Sequence, residues 1–123
     1  MSQDNELIIS ARKLVGILIY DIISRNITPF EAIQKFPKDI EDTSIKIGWH
    51  AIIHFDSDED IRKKDNLYAQ EQMRYLESIG KILLNGEPLP ENILQEYENL
   101  YEETVLPKKT TFKEYIKSIF RFI

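Results

Sequence analysis

The chain has 123 residues and a mass of 14.5 kDa, which makes one domain rather than two. Folding at this size buries roughly two thirds of the unfolded chain's surface, enough for a core without covalent staples. The absence of cysteine excludes disulfides, thiolate metal sites and cysteine nucleophiles, and the presence of only two histidines, His50 and His54, excludes histidine-rich metal centres. The net charge of −5 argues against a nucleic-acid partner, which asks for a basic face. That charge is uneven. Residues 1–107 hold eleven Lys/Arg against twenty Asp/Glu, a balance of −9, whereas residues 108–123 hold five against one, a balance of +4.

The first predicted element is a helix over about residues 5–24. At ~100° per residue, Leu7, Ala11, Leu14, Val15, Leu18 and Ile22 share a face that Ile8, Ile19 and Ile23 widen. A face this broad asks for more than one neighbour. The same stretch is the best membrane candidate, but Arg12, Lys13 and Asp21 interrupt it. Its longest unbroken apolar run, Leu14–Tyr20, is far short of the ~20 residues a span needs. No stable membrane insertion is expected. Residues 1–6 are polar and acidic, unlike a secretory signal, so the expected location is cytoplasmic.

Thr28-Pro29-Phe30-Glu31 carries the strongest local signal. Threonine suits the N-cap, proline the first helical position, and glutamate the third position of a capping box. A short helix should end near Phe36, before Pro37. A third helix is predicted over about 44–55, with Ile45, Trp49, Ile52 and Ile53 on its apolar side. The acidic run 56–60 and the basic run 62–64 read as a solvated connection with room for a helical turn. Asp65 can cap a fourth helix over about 66–85, apolar around much of its circumference and a candidate for the centre of the fold. Gly86 reads as its C-terminal cap. Pro88-Leu89-Pro90 opens a fifth helix to about Glu103, and Thr111 with Glu114 can cap a last one. No segment alternates for long with period two. The expected fold is an all-α, compact single-domain bundle of five to six helices spanning residues 1–123, with a basic amphipathic C-terminal helix at about 111–123.

Three patterns bear on function. His50 and His54 stand one helical turn apart, and a further turn would bring Asp58 into line. Two imidazoles and a carboxylate can hold Zn, Fe or Mn with an open position, as a metal carrier or a metal-dependent hydrolase would. The alternative is two ordinary histidines at a helix–helix boundary. The glutamate base of metallopeptidase helices is absent, since Ala51 follows His50. Asp56, Asp58 and Asp60 imitate the start of a calcium loop. The imitation fails at Ile61, where glycine is needed, and at Leu67, where glutamate is needed.

The third pattern is the stretch 87–107, which holds six glutamates and no basic residue, with Tyr97 and Tyr101 one turn apart beside Glu98 and Glu102. Stiff amphipathic tyrosines among carboxylates suit a protein-binding face for a basic partner. The alternative is that Ile93, Leu94, Tyr97, Leu100 and Tyr101 form a buried stripe. The amphipathic tail 108–123 reads the same two ways, docked on the acidic body or laid on an anionic membrane, with docking the simpler. Gln72 falls inside the apolar arc of the fourth helix and needs hydrogen-bond partners there.

The layout over about residues 7–76 resembles the small helical immunity proteins of the colicin D type. It consists of an apolar first helix, then Ile27-Thr28-x-x-Glu31 opening a short helix, then a helix ending in Asp56-x-Asp58. The resemblance implies a bacterial protein that inhibits a basic nuclease toxin by covering its active site with acid. Abundant Ile, Lys, Asn and Glu likewise point to an AT-rich bacterial genome. It assigns no role to a particular residue. No serine nucleophile arrangement, phosphate-binding glycine loop or cofactor fingerprint occurs. The expected function is therefore a non-catalytic protein–protein interaction module, of immunity, antitoxin or adaptor kind. Its expected partner is a basic protein, with a homodimer also compatible with the pattern.

Overall fold

The computed structural model describes residues 3–105, and the side chains of residues 5–100. Six helices and no strand occur among these residues: α1 (Gln3–Ile23), α2 (Pro29–Lys35), α3 (Thr43–Ser57), α4 (Glu59–Lys64), α5 (Asn66–Leu84) and α6 (Glu91–Val105). The all-α architecture expected from the sequence is the one observed. The predicted helix at 111–123 lies outside the described residues.

Local sequence explains most of the boundaries. The Thr28 hydroxyl accepts from the Glu31 N–H at 3.1 Å, and the Glu31 carboxylate accepts from the Thr28 N–H at 2.9 Å, so the capping box closes as predicted. Asp42 and Asp65 cap α3 and α5 by accepting from the N–H groups of Ile45 and Tyr68, at 3.1 and 3.0 Å. Gly86 follows α5 with φ +78, a left-handed conformation that a side chain resists.

The antiparallel pair α1 and α5 forms the centre. At their crossing the backbones come so close that a Cβ on Gly16 would stand 2.5 Å from the Leu84 nitrogen and 2.9 Å from the Gly80 carbonyl oxygen. α3 packs across this pair, with α2 against α1 and α3, α4 against α5, and α6 against α3. The core takes Ala11, Val15, Leu18, Ile19 and Ile22 from α1 and Tyr75, Leu76, Ile79 and Leu83 from α5, joined by Ile47 and Ile52 of α3. Leu7, placed on the core face by periodicity, is 59% exposed. The chain after α5 turns away at Gly86, opposite Ile9 and Lys13, and Leu7 lies a turn beyond that point.

One ion pair ties the loops to this core. Arg12 grips Asp42 in bidentate fashion, Nη2 to Oδ1 at 2.8 Å and Nε to Oδ2 at 3.2 Å, and its Nη1 donates to the Gly86 carbonyl at 3.2 Å. The Leu89 N–H donates to the buried Ser44 hydroxyl at 2.8 Å, fixing the segment that leads into α6.

Candidate functional site

The buried side of α3 keeps Ile45 and Ile52 of the predicted apolar side but is wider than hydropathy indicated. Ser44, Ile47, Gly48, Ala51, His54 and Asp58 face inward with Ile45 and Ile52, while Trp49 and Ile53 are only half-buried. Small residues on this side let α3 approach α1. A hydropathy count undervalues them because they contribute close backbone approach rather than apolar bulk.

The three residues predicted as metal ligands have different surroundings. His54 is 3% exposed, and burial, with His50 adding a smaller push of the same sign, lowers its pKa to about 3. It is therefore a neutral core ring at physiological pH. His50 is half-buried, and burial lowers its pKa as well. Its Nδ1 lies 2.6 Å from the Tyr97 hydroxyl, and the two rings stand 5.3 Å apart. Which of the two donates is set by the tautomer of the ring. The rings of His50 and His54 are 6.2 Å apart.

Asp58 is held elsewhere. It is 3% exposed, and its Oδ2 accepts from the Tyr68 hydroxyl at 2.6 Å and from Gln72 Nε2 at 3.3 Å. Among the described residues no group of three or more His, Asp or Glu side chains is placed to hold a metal ion.

Asp58 instead anchors a polar chain through the junction of α3, α4 and α5. Gln72, 1% exposed, turns its Nε2 to Asp58 and its Oε1 to Arg62 Nη1 at 2.7 Å. Arg62 Nη1 also donates to the Phe55 carbonyl, and the guanidinium carbon stands 3.6 Å from the Phe55 ring centroid. Burial lowers the Arg62 pKa, opposed first by Asp58 and then by Glu59. Burial and then the bond to Asp58 push the Tyr68 hydroxyl up. The predicted solvated connection is thus a short helix with one acid and one base turned inward. The partners of Asp58 lie ten and fourteen residues along the chain.

The predicted partner face divides as well. Tyr97 is 3% exposed and belongs to the core, through its contact with His50. Glu98 is exposed, as are Glu91, Asn92, Gln95 and Asn99 of the same helix. α6 continues through Tyr101 and Glu102, whose side chains lie outside the described ones.

Beside this helix runs a groove of about 580 Å³ between the end of α2, the following loop, α3 and α6. Ile33, Phe36, Ile40 and Trp49 give it apolar walls, and His50 and Tyr97 close it toward α6. Phe36 and Trp49 meet edge to face at 5.2 Å, which stiffens the aromatic wall. Of the two lysines that line it, Lys46 is paired with Glu41 at 3.0 Å. Sequence reasoning singled out His50 and Tyr97 for different purposes, and the fold brings them into one contact. Phe36 was legible only as a helix end and Trp49 only as a helix-face residue.

No helix of the described residues is long and apolar enough to cross a membrane. Compared with protein-family models, characterised proteins and solved structures, the chain matches none.

Proposed function

We propose that this chain is a non-catalytic bacterial interaction module, of immunity, antitoxin or adaptor kind, that presents an acidic surface to a basic protein. The observation that carries the reading is the Phe36–Trp49 groove, which α6 closes with Tyr97, on a helix that exposes Glu91 and Glu98. Residues 87–107 contain no Lys or Arg. An apolar, aromatic cleft has the anatomy of a protein interface; its charged lining is Lys38 and Lys46, and the exposed carboxylates of α6 act on a basic partner at longer range. Tyr97 and His50 contribute by fixing α6 against α3 rather than by touching the partner. The colicin D-type layout favours a toxin nuclease as that partner.

The test is charge reversal on α6. The double variant Glu91→Lys, Glu98→Lys changes two exposed side chains and should leave the melting temperature nearly unchanged. Affinity purification from the native host should recover a basic protein with the unaltered chain and lose it with the variant. Equal recovery by both chains would refute the reading.

A further inference from the structure

A second groove, of about 660 Å³, lies where the end of α1 and the turn into α2 face α4 and the first half of α5. Small-molecule sites commonly measure about 300–1,000 Å³. Apolar surface comes from Ile23, Ile27, Phe55 and Met73. Three cations also line it, Arg25, Arg62 and Lys63, against the carboxylates Glu31 and Glu59. Glu31 is already engaged, since its Oε1 accepts from the Thr28 N–H at 2.9 Å.

Two of the cations are held in place by the fold. Arg62 is fixed before any ligand arrives, stacked on Phe55 and held by Gln72, which Asp58 and Tyr68 hold in turn. These bonds use Nη1, and the hydrogen bonds of Arg62 among the described residues leave Nε and Nη2 uncommitted. A guanidinium presents a planar fork of donors that matches a carboxylate. Arg25 has φ +63 at the end of α1, the position and conformation where a helix favours glycine. The sequence instead carries a cation there, on the wall of the groove. The conformation belongs to the helix cap, in which the Arg25 N–H donates to the Ile22 carbonyl at 3.0 Å and the Asn26 N–H to the Asp21 carbonyl at 2.8 Å.

We infer that this groove binds a small amphipathic anion, a carboxylate with an apolar chain. Arg62 takes the carboxylate through Nε and Nη2, Arg25 and Lys63 add charge, and Ile23, Ile27, Phe55 and Met73 cover the chain. The inference does not depend on the protein-partner reading, which concerns a different groove.

The full chain, isotopically labelled, would be titrated with sodium octanoate, 1-octanol and sodium acetate while backbone amide signals are followed by NMR. Octanoate should give saturable shifts centred on residues 22–27, 55, 62 and 69–73, at least about tenfold tighter than octanol, because the charge-assisted pair is lost with the alcohol. Acetate, lacking the chain, should leave these signals in place. Arg25→Gly removes one cation and the left-handed strain together. Its melting temperature should hold or rise while octanoate affinity falls about threefold, the scale of one partly solvated charge. Arg62→Lys keeps the charge but loses the fork, and should weaken octanoate by about tenfold. Equal affinity for octanol and octanoate would overturn the inference. So would shifts centred elsewhere, an absence of saturation, or an Arg25→Gly variant that is folded and binds octanoate unchanged.

Discussion

Acidity should weaken this fold through one ring whose position can be read from its titration. His54 is 3% exposed within α3, and burial lowers its pKa from 6.5 to about 3, with the His50 ring contributing in the same direction. In the unfolded chain the same ring titrates near its ordinary value. Between the two values the unfolded state binds a proton that the folded state refuses. Stability is therefore full above pH 6.5 and falls as the pH drops toward 3. Each pH unit in that window is worth about 1.4 kcal/mol, so at pH 5 the ring costs about 2 kcal/mol. Urea unfolding at pH 7.5, 6 and 5 measures this when the chain is compared with His54→Leu, a substitution of similar volume that cannot charge. Carboxylates common to both chains cancel in the difference. The stability of the unaltered chain relative to the variant should drop by about 2 kcal/mol from pH 7.5 to 5. A difference that stays flat over this range would show that His54 is not a buried neutral ring, and the assignment of the inward side of α3 would fail with it.

Gly16→Ala places a methyl 2.5 Å from the Leu84 backbone nitrogen, so α1 and α5 must separate, and a loss of about 2–3 kcal/mol is expected in chemical denaturation. An unchanged midpoint would mean that the helices do not meet there. Asp58→Asn keeps the shape but removes the charge that balances Arg62 and asks an amide to accept from both Tyr68 and Gln72. Thermal unfolding should register a loss of about 2–3 kcal/mol. Tyr97→Phe removes the hydroxyl that meets His50 and should cost about 1 kcal/mol. Tyr97→Ala opens a core cavity and should cost about 3 kcal/mol or more. If Tyr97→Ala left the melting temperature intact, Tyr97 would be a surface residue rather than a core one.

What the sequence made legible follows the range of each interaction. The capping box at Thr28 and Glu31 closes within four residues, and the caps at Asp65 and Gly86 are equally local, so pattern alone located them. The amphipathic faces of α1 and α5 were legible because their apolar residues recur at helical spacing. α3 was misjudged on one side. Its inward surface is built partly from Ser44, Gly48 and Ala51, whose value is close approach, and from His54 and Asp58, whose partners come from elsewhere. The charge run 56–64 looked solvated because Tyr68 and Gln72 reach Asp58 only after α5 folds back on α4. The contact of His50 with Tyr97 spans 47 residues and left no local signal. Gln72 was the exception. A glutamine inside an apolar arc announces that polar partners wait in the core, and Asp58 and Arg62 are those partners.

The most direct test of the central claim places a photo-reactive side chain at Gln95, on the exposed side of α6 between Glu91 and Glu98, and a control at Lys81, exposed on α5. Irradiation in cells of the native host, followed by mass spectrometry of the adducts, reports what lies against each position. A single basic protein should be joined through position 95, absent from the control, and lost in the Glu91→Lys, Glu98→Lys background. Adducts formed equally at both positions, or an acidic protein captured at position 95, would contradict the claim.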